Sequence, residues 1–264
     1  MHRPPTQTLY LACYILLCVA LLPFLSGISS AEEDPSPIRN VILFVGDGMG
    51  TAHIEAASYY ATNTAVGLTM QTAPIQNEMV VISPDQPPDS AATGTALATG
   101  RAVSNGLISQ LPDGTRLETL LEHYQARCKS TGLVTTAFLT HATLATFAAH
   151  EPSRFNYRQI ARDYLLETRP RLLFGGGGNG LNPAETASLG YAVVTDRTGW
   201  DAVVAADTTR LSAQFGDDHF PFALDGYTAD EPTLAEMTAR ALAILEDDPD
   251  GFFLVVESSR IEDA

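Results

Sequence analysis

The chain has 264 residues, with 31 acidic side chains against 15 basic ones and a formal charge of −16. That balance argues against a nucleic-acid partner, and a chain this long can bury a sizeable core without disulfide staples. Lys129 is the one lysine, and the other 14 bases are arginine.

In chain order, Arg3 precedes an apolar stretch from Leu9 to Leu25 and then Ser26-Gly27-Ile28-Ser29-Ser30-Ala31. A positive start, an apolar centre and a small-residue end describe a secretory signal peptide over residues 1–31, cleaved after Ala31. Secretion or a periplasmic location follows, with no stable membrane span after cleavage. An uncleaved anchor is the alternative, because the stretch lies at the short edge of a spanning helix. Cleavage removes Arg3, Cys13 and Cys18, leaving a charge of −17 and Cys128 as the only cysteine.

Residues 32–264 read as one α/β domain, strand-like and helix-like stretches alternating. Val41 to Val45 is a β-branched, apolar run expected to be a strand buried on both faces. It stops at Gly46-Asp47-Gly48, which puts Asp47 at a strand's carboxyl end, the usual ligand crevice of open α/β sheets. Alone, Asp47 would be a turn residue. Asp89-Ser90-Ala91-Ala92-Thr93-Gly94-Thr95-Ala96 starts a helix with a serine beside the free N–H groups and positive dipole end of the first turn. Alone, that is a helix cap.

Further along, Gly132–Leu139 reads as a strand, and Tyr157–Glu167 as a helix facing inward at Ile160, Tyr164 and Leu165. Arg171–Phe174 reads as a strand running into Gly175–Gly178, a turn without the lysine of a phosphate-binding loop. Tyr191–Val194 is a third such strand, Trp200 a core residue, and Pro232–Glu246 a helix opened by its proline. The strand Gly251–Val256 closes on Glu257.

Taken together, residues 40–50, 89–96 and 134–154 resemble the alkaline phosphatase family, and the similarity runs in order from about Arg39 to the last residue. The resemblance implies a three-layer α/β sandwich with a mostly parallel central sheet, incomplete at the C-terminus. It implies two zinc ions and one magnesium ion, small phosphate monoesters as substrates, and a homodimer. Ser90 falls on the nucleophile that becomes a phosphoserine and also meets metal. Asp89 falls on the acid that holds the phosphate-gripping arginine, and Arg154 on that arginine. Asp47 falls on the carboxylate bridging zinc and magnesium, and Thr143 and Glu257 on magnesium ligands. His141 takes a metal-site position that is aspartate in some members and histidine in others.

These residue types suit phosphoryl transfer, which needs positioning and charge neutralisation more than covalent help. Two metal ions about 4 Å apart can stabilise the attacking and leaving oxygens of an in-line displacement. With no histidine near Ser90 in sequence, metal activation fits the serine better than a serine–histidine relay. Arginine's planar fork matches phosphate oxygens.

Two features depart from the family. Glu262 stands where a zinc-ligand aspartate is expected and is one methylene longer, with Asp263 a lower-ranked substitute. The family's remaining zinc ligands lie beyond this point, whereas all six histidines here lie at or before His219. The expectation is therefore the N-terminal portion of a longer phosphatase. The alternative is a non-catalytic relative that binds metal or phosphate.

Overall fold

The computed structural model describes residues 38–77, 79, 83–226 and 231–263. In chain order its elements are β1 (Val41–Gly46), α1 (Thr51–Thr62), α2 (Ser90–Thr99), α3 (Leu120–Gln125), β2 (Ser130–Phe138) and α4 (Ala142–Ala148). There follow α5 (Tyr157–Arg162, continued by the π-helical turn Asp163–Thr168), β3 (Leu172–Gly176), α6 (Pro183–Ser188), β4 (Ala192–Val194) and α7 (Arg197–Asp201). The last are β5 (Leu211–Phe215), α8 (Leu234–Leu245) and β6 (Phe252–Ser258). The signal-peptide expectation for residues 1–31 lies outside the described residues. Among the described residues no helix is long and apolar enough to cross a membrane.

The strands form a six-stranded sheet in the order β1-β6-β2-β3-β5-β4, with every neighbouring pair parallel. Side chains alternate across a strand, and here successive residues enter two different cores. Leu133, Leu173, Phe253 and Val255 pack with Ala91, Leu121, Phe147 and Ile160 from α2 to α5. Val134, Leu172, Phe174, Leu254 and Val256 pack with Trp200, Met237 and Ile244 from α7 and α8. Strands buried on both faces need apolar residues at consecutive positions, which is why β3 and β6 carry the runs Leu172–Phe174 and Phe252–Val256, while β2 buries threonines among its apolar residues. The result is the α/β sandwich expected from the sequence, with Trp200, Tyr164 and Leu165 in its core.

Three expectations are corrected. β1 is an edge strand with one buried face: Val41, Leu43 and Val45 pack on the first core, while Phe44 is 66% exposed and Ile42 also reaches the surface. No described helix covers its second face, so a two-sided apolar run did not mean two-sided burial. Pro232 does not open α8. Thr233 is the N-cap, in a reciprocal capping box with Glu236. The glycine run is not simply a turn, because Gly175 and Gly176 belong to β3. A Cβ on Gly176 would stand 2.0 Å from the Asp218 carbonyl oxygen, and one on Gly178 2.3 Å from that of Asp217. The glycines let the segment after β5 lie directly on the end of β3.

Candidate active site

Parallel strands put all their carboxyl ends on one edge of the sheet, and the candidate residues gather there. β1 ends at Asp47, whose N–H donates to the carbonyl of Ser258 at the end of β6 (3.1 Å), tying the two strand ends together. Gly48 has φ +67°, and a Cβ on it would fall 2.5 Å from Cβ of Glu262. Only glycine admits both that backbone and that approach.

Ser90 is the first residue of α2, and its hydroxyl donates to Asp47 Oδ2 at 3.1 Å. Asp89 is the N-cap: Oδ1 accepts from the Ala92 N–H (2.9 Å), and Oδ2 accepts from the Gly106 N–H (3.0 Å) and from Arg154 Nη1 (3.1 Å). Arg154 is held a second time through its own N–H, which donates to the Gly106 carbonyl (2.7 Å). Its Nη2 donates to His141 Nε2 at 3.1 Å. A guanidinium carries five N–H donors. With two committed to Asp89 and His141, three remain, and their plane is fixed by the committed pair.

Glu257, near the end of β6, lies in register between Val45 of β1 and Thr135 of β2. It is fully buried, accepts a hydrogen bond from the Thr135 hydroxyl at 2.6 Å through Oε2, and leaves Oε1 without a partner. Burial pushes its carboxyl up to about 7, the Thr135 hydrogen bond only partly opposing this. Burial likewise raises Asp47, against the hydroxyls of Ser90 and Thr143 that favour its carboxylate. The Thr143 hydroxyl donates to Asp47 Oδ2 at 3.4 Å. His141 is held down to about 3, first by burial and then by the positive charge of Arg154, and its Nδ1 is buried without a partner. The site therefore crowds acidic groups into a place that disfavours their charge, with Arg154 as the nearby fixed cation.

One ligand atom from each of Asp47, His141 and Glu257 lies within 4.8 Å of the others. Two carboxylates, one with an orphaned buried oxygen, plus the Thr143 hydroxyl form the oxygen-rich donor set that a hard dication such as magnesium takes. A dication there would remove the desolvation penalty that lifts Glu257 and Asp47, so the residues fit it. Glu262 does not join this group. It sits in the turn Ser259–Asp263 with its backbone against Gly48 and its side chain exposed, raised by partial burial and by the charge of Asp47. Asp263 pairs with Arg260 at 3.0 Å. Among the described residues no second group of three ligands forms, so the two-zinc set is not assembled by them.

His219 belongs to this neighbourhood and was not singled out from the sequence. Its ring lies edge-on to His141, 5.2 Å between centroids, and 4.9 Å from Phe138. Burial lowers its pKa. The Phe220 N–H donates to the Thr136 carbonyl (2.9 Å), fastening the segment to β2. The signal available was positional: Gly216-Asp217-Asp218-His219 follows a strand, as Gly46-Asp47-Gly48 does.

The alkaline phosphatase family model matches residues 38–188 and 175–264. The chain is 34% identical over 287 residues to alkaline phosphatase 3 of Bacillus subtilis, covering 99% of this chain and 61% of that protein. Alkaline phosphatase 4 of the same organism is 34% identical over 252 residues, 89% of this chain and 54% of its own length. The chain thus spans less than two thirds of both relatives. Among solved structures, the alkaline phosphatase of Thermus thermophilus superposes with a TM-score of 0.75 at 30% identity, over 84% of this chain and half of the other. With family-level similarity extending from residue 38 to the last, on a shared fold, this chain belongs to the alkaline phosphatase family.

Proposed function

We propose that this chain carries the nucleophile and the phosphate-gripping half of an enzyme that hydrolyses small phosphate monoesters through a phosphoserine at Ser90. The observation that carries this reading is the pairing of Ser90 with Asp47 at 3.1 Å, beside an arginine whose fork is fixed by Asp89. The three free N–H donors of Arg154 grip the non-bridging phosphoryl oxygens. The Ser90 hydroxyl directs its proton at Asp47 Oδ2, which leaves a lone pair of Oγ free to attack phosphorus. The bond from Oγ to phosphorus forms as the serine proton passes to Asp47, the bond from phosphorus to the ester oxygen breaks, and the leaving oxygen takes up that proton, through water, to depart as the alcohol. Water then attacks the phosphoserine from the opposite side, the bond from Oγ to phosphorus breaks, Oγ regains a proton from the attacking water, and inorganic phosphate is released. The start of α2 faces the developing negative charge with its positive dipole end. Asp47, Thr143, His141 and Glu257 would hold a magnesium-like dication, which when bound supplies further charge neutralisation. Ser90 and Glu262 are proposed for zinc.

Export follows from the leader reading of residues 1–31, with cleavage after Ala31, and N-terminal sequencing of the exported protein tests it. Dimerisation is proposed from the resemblance and is read by light scattering. A second functional reading, a relative that binds metal or phosphate without turnover, draws on the exposed Glu262 carboxylate standing apart from the ligand group. One experiment separates the two. A chromogenic phosphate monoester is incubated with the chain, with Ser90→Ala, and with any longer product of the same reading frame, in zinc and magnesium. Turnover lost with Ser90→Ala, and a trapped phosphoryl group on Ser90 by mass spectrometry, supports the enzyme. Metal-dependent phosphate binding without turnover in every form supports the second reading.

A further inference from the structure

The opposite edge of the sheet carries a second concentration of charge. Lys129 immediately precedes β2, Arg171 immediately precedes β3, and Arg210 immediately precedes β5. β2, β3 and β5 are adjacent in the sheet, so these positions form a row at their amino ends. Backbone hydrogen bonds keep the row in register: Arg171 N–H to the Thr131 carbonyl (2.8 Å), and Leu211 N–H to the Arg171 carbonyl (3.0 Å). Arg169 joins it from the turn before β3. These four cations and Cys128 line a single pocket of about 220 Å³. Glu257 pairs with Thr135, five residues along β2 from Ser130, so roughly 17 Å of strand separates this pocket from the level of Glu257.

Four of the chain's 15 bases in one pocket is unexpected for a protein of charge −16, and the local carboxylates do not neutralise them. Asp247 pairs with Arg171 at 3.0 Å. Asp248 is engaged by the Ser130 hydroxyl. Among the described residues no carboxylate lies within ion-pair distance of Lys129, Arg169 or Arg210. Lys129 donates to the carbonyls of Arg39 and Asp250, and Arg169 to that of Leu189, so two of the three are steered by backbone dipoles alone. Arg210 has its Nε buried with no hydrogen-bond partner at all. A buried guanidinium N–H without an acceptor is costly, and a cleft lined by one sign of charge concentrates counter-ions.

We infer that this pocket is a second anion site, built for a small tetrahedral oxyanion of the phosphate class and independent of the Ser90 site. The planar forks of Arg169 and Arg210 supply paired donors to such an ion, and Lys129 supplies a point charge. The volume admits inorganic phosphate or the phosphate head of a small ester. A bound ion would offset the charge that the local carboxylates leave unpaired.

Cys128 lies on the pocket wall and is exposed, so its reaction with a maleimide reports occupancy directly. The rate is read by mass spectrometry on the peptide containing Cys128, in the full chain, with phosphate against potassium chloride at matched ionic strength. A bound ion covering the thiol slows alkylation by the factor 1 + [phosphate]/Kd, about tenfold at about ten times Kd. The slowing should saturate, persist in Arg154→Ala, and vanish in Arg210→Gln and in Arg169→Gln. Glycerol 2-phosphate, tested in Ser90→Ala so that no ester is consumed, distinguishes a site for free phosphate from one that also takes a monoester head. Equal slowing by chloride, no slowing by phosphate, or slowing that survives both arginine substitutions would overturn the inference. So would its loss in Arg154→Ala. The comparison of phosphate with chloride needs no variant, so it stands if either arginine variant does not fold.

Discussion

Asp89→Ala removes three hydrogen bonds at once: the cap on Ala92 N–H, the bond to Gly106 N–H and the bond to Arg154 Nη1. Loss of an N-cap carboxylate to alanine destabilises by about 1 kcal/mol. Leaving a half-buried backbone N–H without its acceptor adds about 1 kcal/mol. The expected total is about 2 kcal/mol, seen as a lower urea midpoint with an unchanged slope. Asp89→Asn separates the parts. Its single carbonyl oxygen can keep the Ala92 cap, but its amide then turns donors toward the donors of Gly106 and Arg154. That variant should lose about 1 kcal/mol of stability. With the charge-assisted bond to Arg154 gone, the fork is no longer aimed, a deficit of about 1.5–3 kcal/mol in transition-state binding. In the catalytically competent form this is a fall of about tenfold to 150-fold in kcat/KM. The reasoning is refuted if Asp89→Asn retains both wild-type stability and wild-type kcat/KM, because Oδ2 would then be doing neither job.

Gly176→Ala should destabilise by about 1–3 kcal/mol in urea unfolding, because the new Cβ meets a backbone carbonyl at 2.0 Å with no flexible side chain to yield; an unchanged midpoint would mean the segment 216–219 does not need that close approach. Glu257→Gln should weaken magnesium binding by about tenfold or more in calorimetry, and undiminished affinity removes Glu257 from the ligand set. His150 is buried with Nε2 3.0 Å from Glu122 Oε1 and Nδ1 2.8 Å from the Ser109 carbonyl. Burial pushes its pKa down, but the Glu122 and Ser109 partners outweigh burial and leave it raised; Glu122 is held low against its own desolvation by His150 and the Thr119 N–H. A raised histidine contributes stability that is fully present below the unfolded value, about 6.5, and lost as pH rises through the folded value. Glu122's share is lost as pH falls through its depressed value. Glu122→Gln should therefore flatten the decline of unfolding free energy on the alkaline side of about pH 6.5, and an unaltered profile would show that the pair is not the source.

The sequence made the buried strands legible because two-sided burial demands consecutive apolar residues, as in Phe252–Val256 and Leu172–Phe174. The same rule failed for Val41–Val45, since the pattern records what a strand could bury and not whether a second layer lies over it. The places of Asp47 at a strand end and of Asp89 and Ser90 at a helix start were legible because those signals are local, whereas their proposed roles came from the resemblance. Pro232 misled because a capping box one residue later sets the helix start. His219 and the role of the glycine run were not legible for a shared reason. Gly176 and Asp218 meet only because β3 and β5 are neighbours in the sheet, which no local window encodes. The row of Lys129, Arg171 and Arg210 was hidden in the same way, its members scattered over eighty residues until the strand order aligned them.

That alignment explains why one sheet presents two electrostatic characters. In a parallel sheet every strand reverses direction through a helix on one face, so residues just after strands collect on one edge and residues just before strands on the other. Here β1 and β6 end on acids, Asp47 and Glu257, and the segment after β5 brings His219 to the same edge, and burial pushes all three toward their neutral forms. At the other edge β2, β3 and β5 are each preceded by a base, Lys129, Arg171 and Arg210, and of these only Arg171 has a carboxylate partner among the described residues. An edge that disfavours its own carboxylates is relieved by a cation, and an edge that leaves guanidinium groups unpaired is relieved by an anion. Each edge thus has its complementary ion, and occupancy of either should raise the unfolding temperature independently of the other. Additive shifts with magnesium and phosphate present together, in the Arg154→Ala background that weakens phosphate at the Ser90 edge, would show two separate sites. A shift with phosphate that requires magnesium would instead place both ions at the Ser90 edge.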